Sequence, residues 1–216
     1  IRTYSLSSAP SDNFLRISVK REGVASSYLH DQVKVDSLLE ARAPQGHFSP
    51  DAEQRHPLVL LAAGVGITPL LSMLREVIFQ NQRLRRSRPV WLLQAARSLA
   101  ELAFRDELFS LLQRGGDAVH AVRLLSQPEP QALEGQDFEL AGRIDVTLLK
   151  ALLPFDDYDF YLCGPSRFTQ DLYDGLRQLN ISDMRIHAET FGPSSLRRQP
   201  DQGSAQPALP AAASGP

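Results

Sequence analysis

Cysteine is almost missing from this 216-residue chain: Cys163 stands alone. That excludes an intramolecular disulfide framework, and no Cys/His cluster has structural-zinc spacing, so no metal site is expected. A reducing, cytoplasmic setting is the expectation that follows. Long apolar runs are also lacking. None reaches the ~18 residues of a membrane span, and the opening IRTYSLSSAP has neither the basic region nor the apolar core of a signal peptide. It also lacks an initiator methionine, so the chain is expected to begin inside a longer protein. No charge sign dominates: 23 Lys+Arg against 25 Asp+Glu give a net charge of -2, which argues against a nucleic-acid binder. What is present, 43% hydrophobic and 22% charged residues, suffices for one or two domains with real cores.

The most informative stretch runs from Pro57 to Leu74, PLVLLAAGVGITPLLSML. Leu58 to Ala62 is a short uninterrupted apolar run, as in a buried parallel strand, and Gly64 and Gly66 punctuate it. Pro69 sits where a helix would take its first residue. Strand, glycine turn and helix in that order suit a pyrophosphate seat: the glycines let backbone approach a ligand, and a helix start offers free N–H groups and a positive dipole end. Two features of a dinucleotide fingerprint are missing. The spacing is GxGxxP rather than GxGxxG, and no acidic residue ends the next strand. A tight structural turn is the alternative.

The pattern before this stretch differs from the pattern after it. Phe14 to Lys20, FLRISVK, alternates as a half-buried antiparallel strand, Ser26 to Asp31 (SSYLHD) reads as a short Ser-capped helix, and Ser37 to Pro44 is extended. Residues 1–55 therefore read as all-β with one helical turn. Residues 56–193 alternate. Strands are expected at Leu58–Ala62, Val90–Ala95, Val119–Leu125, Phe160–Cys163 and Arg185–Ala188, with helices at Leu70–Gln80, Glu101–Gln113, Val146–Leu152 and Phe168–Leu179, which implies a doubly wound parallel sheet. Ser98 and Glu101 have capping-box spacing, Gly115-Gly116 should end the second of these helices, and Asp145 should cap the third. Arg83, Arg85, Arg86 and Arg88 read as a solvated loop at the end opposite the ligand crevice. Residues 194–216, rich in Pro, Ala, Ser, Gln and Gly, read as a disordered linker or tail.

Four motifs in order carry a resemblance. Arg2-Thr3-Tyr4-Ser5 matches an RxYS flavin motif, and ISVKREG followed by SSYLHD is similar to a flavin-phosphate segment. YLCGPSRF (Tyr161 to Phe168) and ETFGP (Glu189 to Pro193) are similar to two late sheet-end motifs. Together with GVGITP, these identify the chain as resembling the ferredoxin-NADP reductase superfamily, specifically its flavohaemoglobin-type FAD/NAD(P)H reductase module. The resemblance implies a partial FAD-binding β barrel in residues 1–55 followed by an NAD(P)-binding α/β domain in 56–193.

It also implies roles. Arg2 would bind the FAD pyrophosphate, Tyr4 would lie against the isoalloxazine, and Ser5 would hydrogen-bond near flavin N5. Gly23 and Ser26 fall at a flavin-phosphate spacing, with Tyr28 and His30 beside FAD, although His30 reads equally well as a surface histidine. Gly64, Val65, Gly66, Ile67, Thr68 and Pro69 would form the nicotinamide-nucleotide turn, joined by Cys163, Gly164 and Pro165 at the end of another strand. Cys163 would sit near the hydride-carrying carbon rather than act as a covalent nucleophile, because no base is evident beside it. Phe191 would cover the flavin and move to admit nicotinamide, and Glu189 would be an active-site carboxylate. A surface charge closing a strand is the alternative for Glu189.

RxYS arrives at residue 2, whereas in this family several barrel strands precede it, so roughly half the barrel is expected to be missing and FAD binding weakened. The implied function is hydride transfer from NAD(P)H to FAD, with electrons passed on to haem in a globin domain or to a 2Fe–2S cluster in a ferredoxin-like domain, both outside this chain. The first is the reductase part of a nitric oxide dioxygenase; the second is an iron-sulfur flavoprotein reductase. A non-catalytic nucleotide-binding electron-transfer or regulatory subunit is the alternative of another class. Arg97, which ends QAAR on the second strand, is a candidate for the adenosine ribose and leaves NADH against NADPH open.

Overall fold

The computed structural model describes residues 2–51, 53–191 and 195–201. After residue 57 it forms the expected alternation: β1 (Leu58–Ala63), α2 (Ile67–Leu84), β2 (Val90–Ala96), α3 (Arg105–Gly115), β3 (Val119–Leu125), β4 (Leu140–Ala141), α4 (Val146–Leu152), β5 (Asp159–Pro165), α5 (Ser166–Gln178) and β6 (Ile186–Phe191); α1 (Val24–Asp31) precedes them. The strands make one six-stranded sheet in the order β4-β3-β2-β1-β5-β6, parallel throughout.

The apolar run of β1 explains its central place. Leu58 to Ala62 are all fully buried, and the twofold period of a strand sends alternate residues to opposite faces. Leu58, Leu60 and Ala62 meet Leu70, Leu71, Leu74 and Ile78 of α2 and Leu108 and Leu111 of α3. Val59 and Leu61 meet Leu149 of α4 and Leu172, Tyr173 and Leu176 of α5. Each full turn of chain thus covers one face of the sheet, and strand order reverses between β1 and β5. That reversal opens a crevice at the carboxyl ends of these two strands.

Several local readings need correction. Helix α2 starts at Ile67, so Pro69 is its third residue rather than its first; it remains in the first turn, where an N–H would have no intrahelical partner. Helix α1 starts at Val24 with Gly23 at the N-cap, and the Ser26 hydroxyl accepts from the N–H groups of Glu22 and Gly23 at 2.9 Å, so Ser26 braces the cap from inside. Asp145 caps α4 through Leu148 N–H at 2.8 Å, and α3 ends at Gly115, both as expected. Arg88 does not belong to a solvated loop. Its side chain is 11% exposed, and it donates to the carbonyls of His56 and Asp51 near the buried Asp159.

In residues 2–51 the expected strands do not form ladders. Pairing is reduced to one antiparallel bridge, Leu6 to Ile17, and Leu15 is 75% exposed. A strand needs a hydrogen-bonding neighbour, and the described residues of this segment offer Phe14–Lys20 only that one bridge. Residues 7–16 are instead fastened to the α/β part by charge. Arg16 makes a bidentate pair with Glu107 at 2.9 Å, Arg75 reaches Glu107 at 2.7 Å and Asp12 at 2.7 and 3.0 Å, and the Ser72 hydroxyl donates to Ser8 O at 2.7 Å.

The start of the expected tail is likewise ordered. Gln199 N–H donates to the Tyr173 hydroxyl at 2.6 Å, Arg198 pairs with Asp183 at 3.0 Å and bonds Ile186 O, and Asp201 accepts from Ser182 and pairs with Arg177. Leu196 packs on the α5 face of the core. Residues 195–201 therefore dock on α5 and on the turn before β6, and reach β6 itself at the Ile186 carbonyl. The remainder of the expected tail, 202–216, lies outside the described residues, as do Gly192 and Pro193 of ETFGP.

Candidate functional site at the strand-order reversal

The GVG segment forms a short 3-10 turn, Gly64–Gly66, between β1 and α2. Its two glycines do different work. Gly64 has φ +56° with open space where a Cβ would be, so the backbone conformation is what requires glycine. At Gly66 a Cβ would fall 2.0 Å from the carbonyl oxygen of Cys163 and 2.8 Å from Gly164 N, so close approach of β5 is what requires it. Neither the turn nor α2 has a side-chain cap. The leading N–H groups of the turn therefore meet no side-chain acceptor, while Ile67 N–H at the head of α2 donates to the carbonyls of Gly64 and Val65. Thr68 is buried and spends its hydroxyl on Val65 O at 3.1 Å, and Ile67 and Pro69 are buried as well, so these three shape the turn from behind while Gly64 and Val65 face outward.

Parallel register brings the sheet-end residues together. Ala62 of β1 is opposite Cys163 of β5, which is opposite Glu189 of β6; Gly164 faces Thr190, and Pro165 faces Phe191. Cys163 is fully buried, and that burial, with Glu189 adding to it, pushes its thiol well above the ordinary range. It is a small neutral group here, not a thiolate. Burial also pushes the Glu189 carboxyl up, and a hydrogen bond from Ser5 acts in the opposite sense. Ser5, although 184 positions away in sequence by subtraction (189 − 5), thus meets the end of β6. Phe191 is 36% exposed at the rim.

The remaining expected positions are more dispersed. Arg2 is exposed and Tyr4 half-buried, on the segment that leads to Ser5. Gly23, Ser26, Tyr28 and His30 lie on or beside α1, whose polar contacts run to residues 19–23: His30 Nε2 bonds Val19 O at 2.8 Å, and Asp31 makes a bidentate pair with Arg21 at 2.8 Å. Tyr28 is 58% exposed. Arg97 lies at the end of β2 and is held by Glu101 at 2.6 Å. The capping-box reading of Ser98 and Glu101 fails here. Ser98 leads into a 3-10 turn, Leu99–Glu101, and Glu129 from the loop after β3 accepts from the Leu99 and Ala100 N–H groups at 2.8 and 3.3 Å.

So a carboxylate does stand at the end of β2, contrary to the sequence expectation: Glu101 supplies it from four residues further on. The i, i+4 spacing of Arg97 and Glu101 was a readable signal for that pair. Glu129 gave none, because its position depends on how the loop after β3 folds back. Among the described residues there is no cluster of three or more metal-ligating side chains, and no helix is long and apolar enough to cross a membrane.

Known proteins bear on this geometry. The family model described as "Oxidoreductase NAD-binding domain" matches residues 60–174. A flavohemoprotein of Rhizobium meliloti (strain 1021) is 38% identical over 200 residues, covering 89% of this chain and 48% of that protein. The crystal structure of the flavohem-like FAD/NAD binding domain of nitric oxide dioxygenase from Vibrio cholerae O1 biovar El Tor superposes with a TM-score of 0.72 at 34% identity, over 89% of this chain and 77% of that one. A flavohemoglobin from Malassezia yamatoensis with bound FAD and heme gives a TM-score of 0.63 at 26% identity, over 88% of this chain and 46% of that one. The chain spans about half the length of the curated relatives it matches. The family model covers more than half of the 216 residues, from the middle of β1 into α5, and takes in the glycine turn and the end of β5, so this chain belongs to the oxidoreductase NAD-binding domain family.

Proposed function

We propose that this chain is the nucleotide-handling half of a flavohaemoprotein-type oxidoreductase, taking hydride from NAD(P)H onto FAD and passing electrons to a haem held by a globin domain outside the chain. The observation that carries this reading is an uncapped glycine turn at the strand-order reversal, near a buried thiol and a half-buried carboxyl paired in register, the carboxyl hydrogen-bonded by a serine from the N-terminal segment. The residues fit a bound dinucleotide: open space above Gly64, leading N–H groups without a side-chain cap, and no carboxylate cap to repel a pyrophosphate there. The relatives named flavohemoprotein, at 34–39% identity, support haem as the acceptor. The free, buried Cys163 suits a reducing compartment, and the cytoplasm is the setting we assign.

When bound, the flavin accepts two electrons as hydride and releases them singly. The protein's part is binding, orientation and exclusion of water. Gly64 and Val65 would hold the nucleotide pyrophosphate, and Gly164 would let the nicotinamide end lie close to β5. Cys163 offers a small uncharged wall at that point. Ser5 donates to Glu189 and keeps that carboxyl at the rim, where its raised proton affinity suits it to hold or pass a proton as charge on the site changes. Arg2 and Tyr4 would contact FAD from the same segment, with Gly23, Tyr28 and His30 further along it. Ser26 would act through the α1 cap it braces. Phe191, partly exposed at the end of β6, would cover the flavin and swing aside for nicotinamide. The test is reduction of ferricyanide by NADH with FAD-reconstituted protein. Turnover that falls at least tenfold in Gly64→Val, with FAD still bound, is expected; turnover unchanged by that substitution would remove the glycine turn from the site.

A further inference from the structure

Helix α2 serves both ends of the proposed site. Its head continues from the Gly64–Gly66 turn, and its middle holds the segment that follows Ser5. The Ser72 hydroxyl donates to Ser8 O at 2.7 Å, Arg75 takes both oxygens of Asp12, and Glu76 accepts from Ser11 N–H at 3.0 Å. Ser72 and Arg75 stand five and eight positions past Ile67 by subtraction (72 − 67 and 75 − 67), about 7.5 and 12 Å along the axis. A hydrogen-bonded helix keeps that rise, so the segment lies at a fixed distance from the turn.

Helix α3 grips the same segment from the other side. Glu107 accepts from Arg16 Nη1 and Nη2 at 2.9 Å and from Arg75 Nη1 at 2.7 Å, so one carboxylate ties both guanidinium groups. Arg16 in turn donates through Nε and Nη2 to the hydroxyl and carbonyl of Ser7 at 3.0 and 2.8 Å, and Ser7 N–H returns a bond to Arg16 O at 2.8 Å. Ser7 and Ser8 are fully buried as a result. The side chains of Arg75 and Glu107 are only 16% and 23% exposed, so solvent screens this pair weakly. Phe104 opens α3 at φ +63°, a left-handed conformation that a bulky residue rarely adopts, and the Arg16 guanidinium lies over its ring at 5.6 Å. Strain of that kind persists only where the surroundings hold it, and here it seats Arg16.

We propose that the clamp of Arg16, Glu107, Arg75 and Asp12, with Ser72, sets where Ser5 and the flavin segment Arg2–Ser5 lie against the nucleotide turn, so that α2 fixes the geometry of hydride transfer. The inference rests on the crevice being the place where nicotinamide meets flavin. Ser5 stands two residues before Ser7 and bonds Glu189, so a shift of the clamped segment reaches the rim of the crevice directly. Arg75 and Glu107 are positioning residues, acting through Ser7 and Ser8 and not on the reacting atoms. The hydride leaves the nicotinamide with both electrons, so NADH is oxidised to NAD⁺ as the flavin is reduced. A misplacement of about 1 Å can slow such a transfer by roughly a hundredfold. Nicotinamide affinity depends on the turn, which the clamp leaves intact.

Two measurements test this, one of them without any cofactor. In the ligand-free chain, a double-mutant cycle of Ser5→Ala and Glu189→Ala, followed in urea, should show a coupling that is lost when the cycle is repeated in Glu107→Gln. In the FAD-reconstituted chain mixed anaerobically with NADH, Arg75→Gln and Glu107→Gln should lower the limiting rate of flavin reduction by about tenfold or more. The NADH concentration at half-maximal rate should stay within about twofold. Arg75→Lys keeps the charge and can reach one carboxylate, so it should recover part of the rate. Glu107→Gln is isosteric and leaves Arg75 paired with Asp12, so the fold persists in that variant, checked by far-UV circular dichroism. A coupling absent from the wild type or surviving in Glu107→Gln, or a limiting rate unmoved in both folded variants, would overturn the inference alone. Flavin that NADH fails to reduce in the wild-type protein would overturn the reading of the crevice, and the inference with it.

Discussion

Gly66→Ala separates two physical arguments that predict opposite signs. Gly66 has φ −59° and ψ −12°, an ordinary right-handed helical conformation at the head of α2. Judged on backbone alone, Ala should stabilise the protein by ~0.4–1 kcal/mol, because it narrows the unfolded ensemble. The packing says otherwise. The added methyl would lie 2.0 Å from Cys163 O and 2.4 Å from its carbonyl carbon, both backbone atoms of the central strand β5. Comfortable non-bonded separation is roughly 3.5 Å, so the turn and β5 would have to part by about 1.5 Å, and no side-chain rotation relieves it. Overpacking of this kind costs ~1–3 kcal/mol or more, and an all-backbone clash belongs at the upper end. The net expectation is a loss of about 2 kcal/mol. With a urea m-value of ~2 kcal/mol/M, the midpoint followed by far-UV circular dichroism should fall by about 1 M. Gly64→Ala is the internal control: it meets no atom, but its φ of +56° costs ~1–2 kcal/mol for a residue with a Cβ. A Gly66→Ala midpoint equal to or above that of the wild-type protein would refute the close approach of the turn to β5.

Three further outcomes follow from charge and burial. Arg75→Ala leaves Asp12 and Glu107 without their shared partner and should cost about 2 kcal/mol, with hydrogen-exchange protection lost first in residues 7–16 and retained in β1. The Arg75 hydrogen bond, the Ala9 N–H and the Arg16 charge hold Asp12 below the ordinary carboxylate value of 3.8. A carboxyl depressed on folding stabilises the folded state above that ordinary value and loses its contribution as pH falls through the folded one. Protection factors in residues 7–16, corrected for intrinsic exchange, should therefore fall below about pH 4 while those of the sheet hold, and protection that is independent of pH there would contradict the ion-pair anchor. Cys163 is fully buried with its thiol pushed up, so iodoacetamide at pH 8 should leave it unmodified in native protein and alkylate it in urea.

The α/β half was legible because each cue was local. The Leu58–Ala62 run, Asp145 and Gly115 each act within one turn of their own position, and the five expected strands start within one residue of the observed ones, while the two-residue β4 was not expected. The N-terminal strands were misread for a non-local reason: FLRISVK alternates, but alternation records only which faces differ, and a ladder needs a partner that residues 2–51 do not supply. Arg88 shows the same limit. Its place in a basic run suggested solvent, and its burial beside Asp159 depends on β5, 71 positions away by subtraction (159 − 88). At the site, glycine spacing marked the turn, but only geometry distinguishes Gly64, required by its φ, from Gly66, required by its neighbour. The docked strap 195–201 was hidden by composition, since Pro, Gln and Ser read as linker while Arg198, Gln199 and Asp201 found partners on α5 and beside β6.

Central to this account is hydride passing at the reversal of strand order between β1 and β5. Anaerobic stopped-flow mixing of FAD-reconstituted protein with NADH, and with NADH deuterated at the transferring position of C4, examines that step directly. Flavin absorbance should bleach in a single exponential phase that slows on deuteration by a primary isotope effect. Flavin that stays oxidised in the presence of saturating NADH would contradict the account.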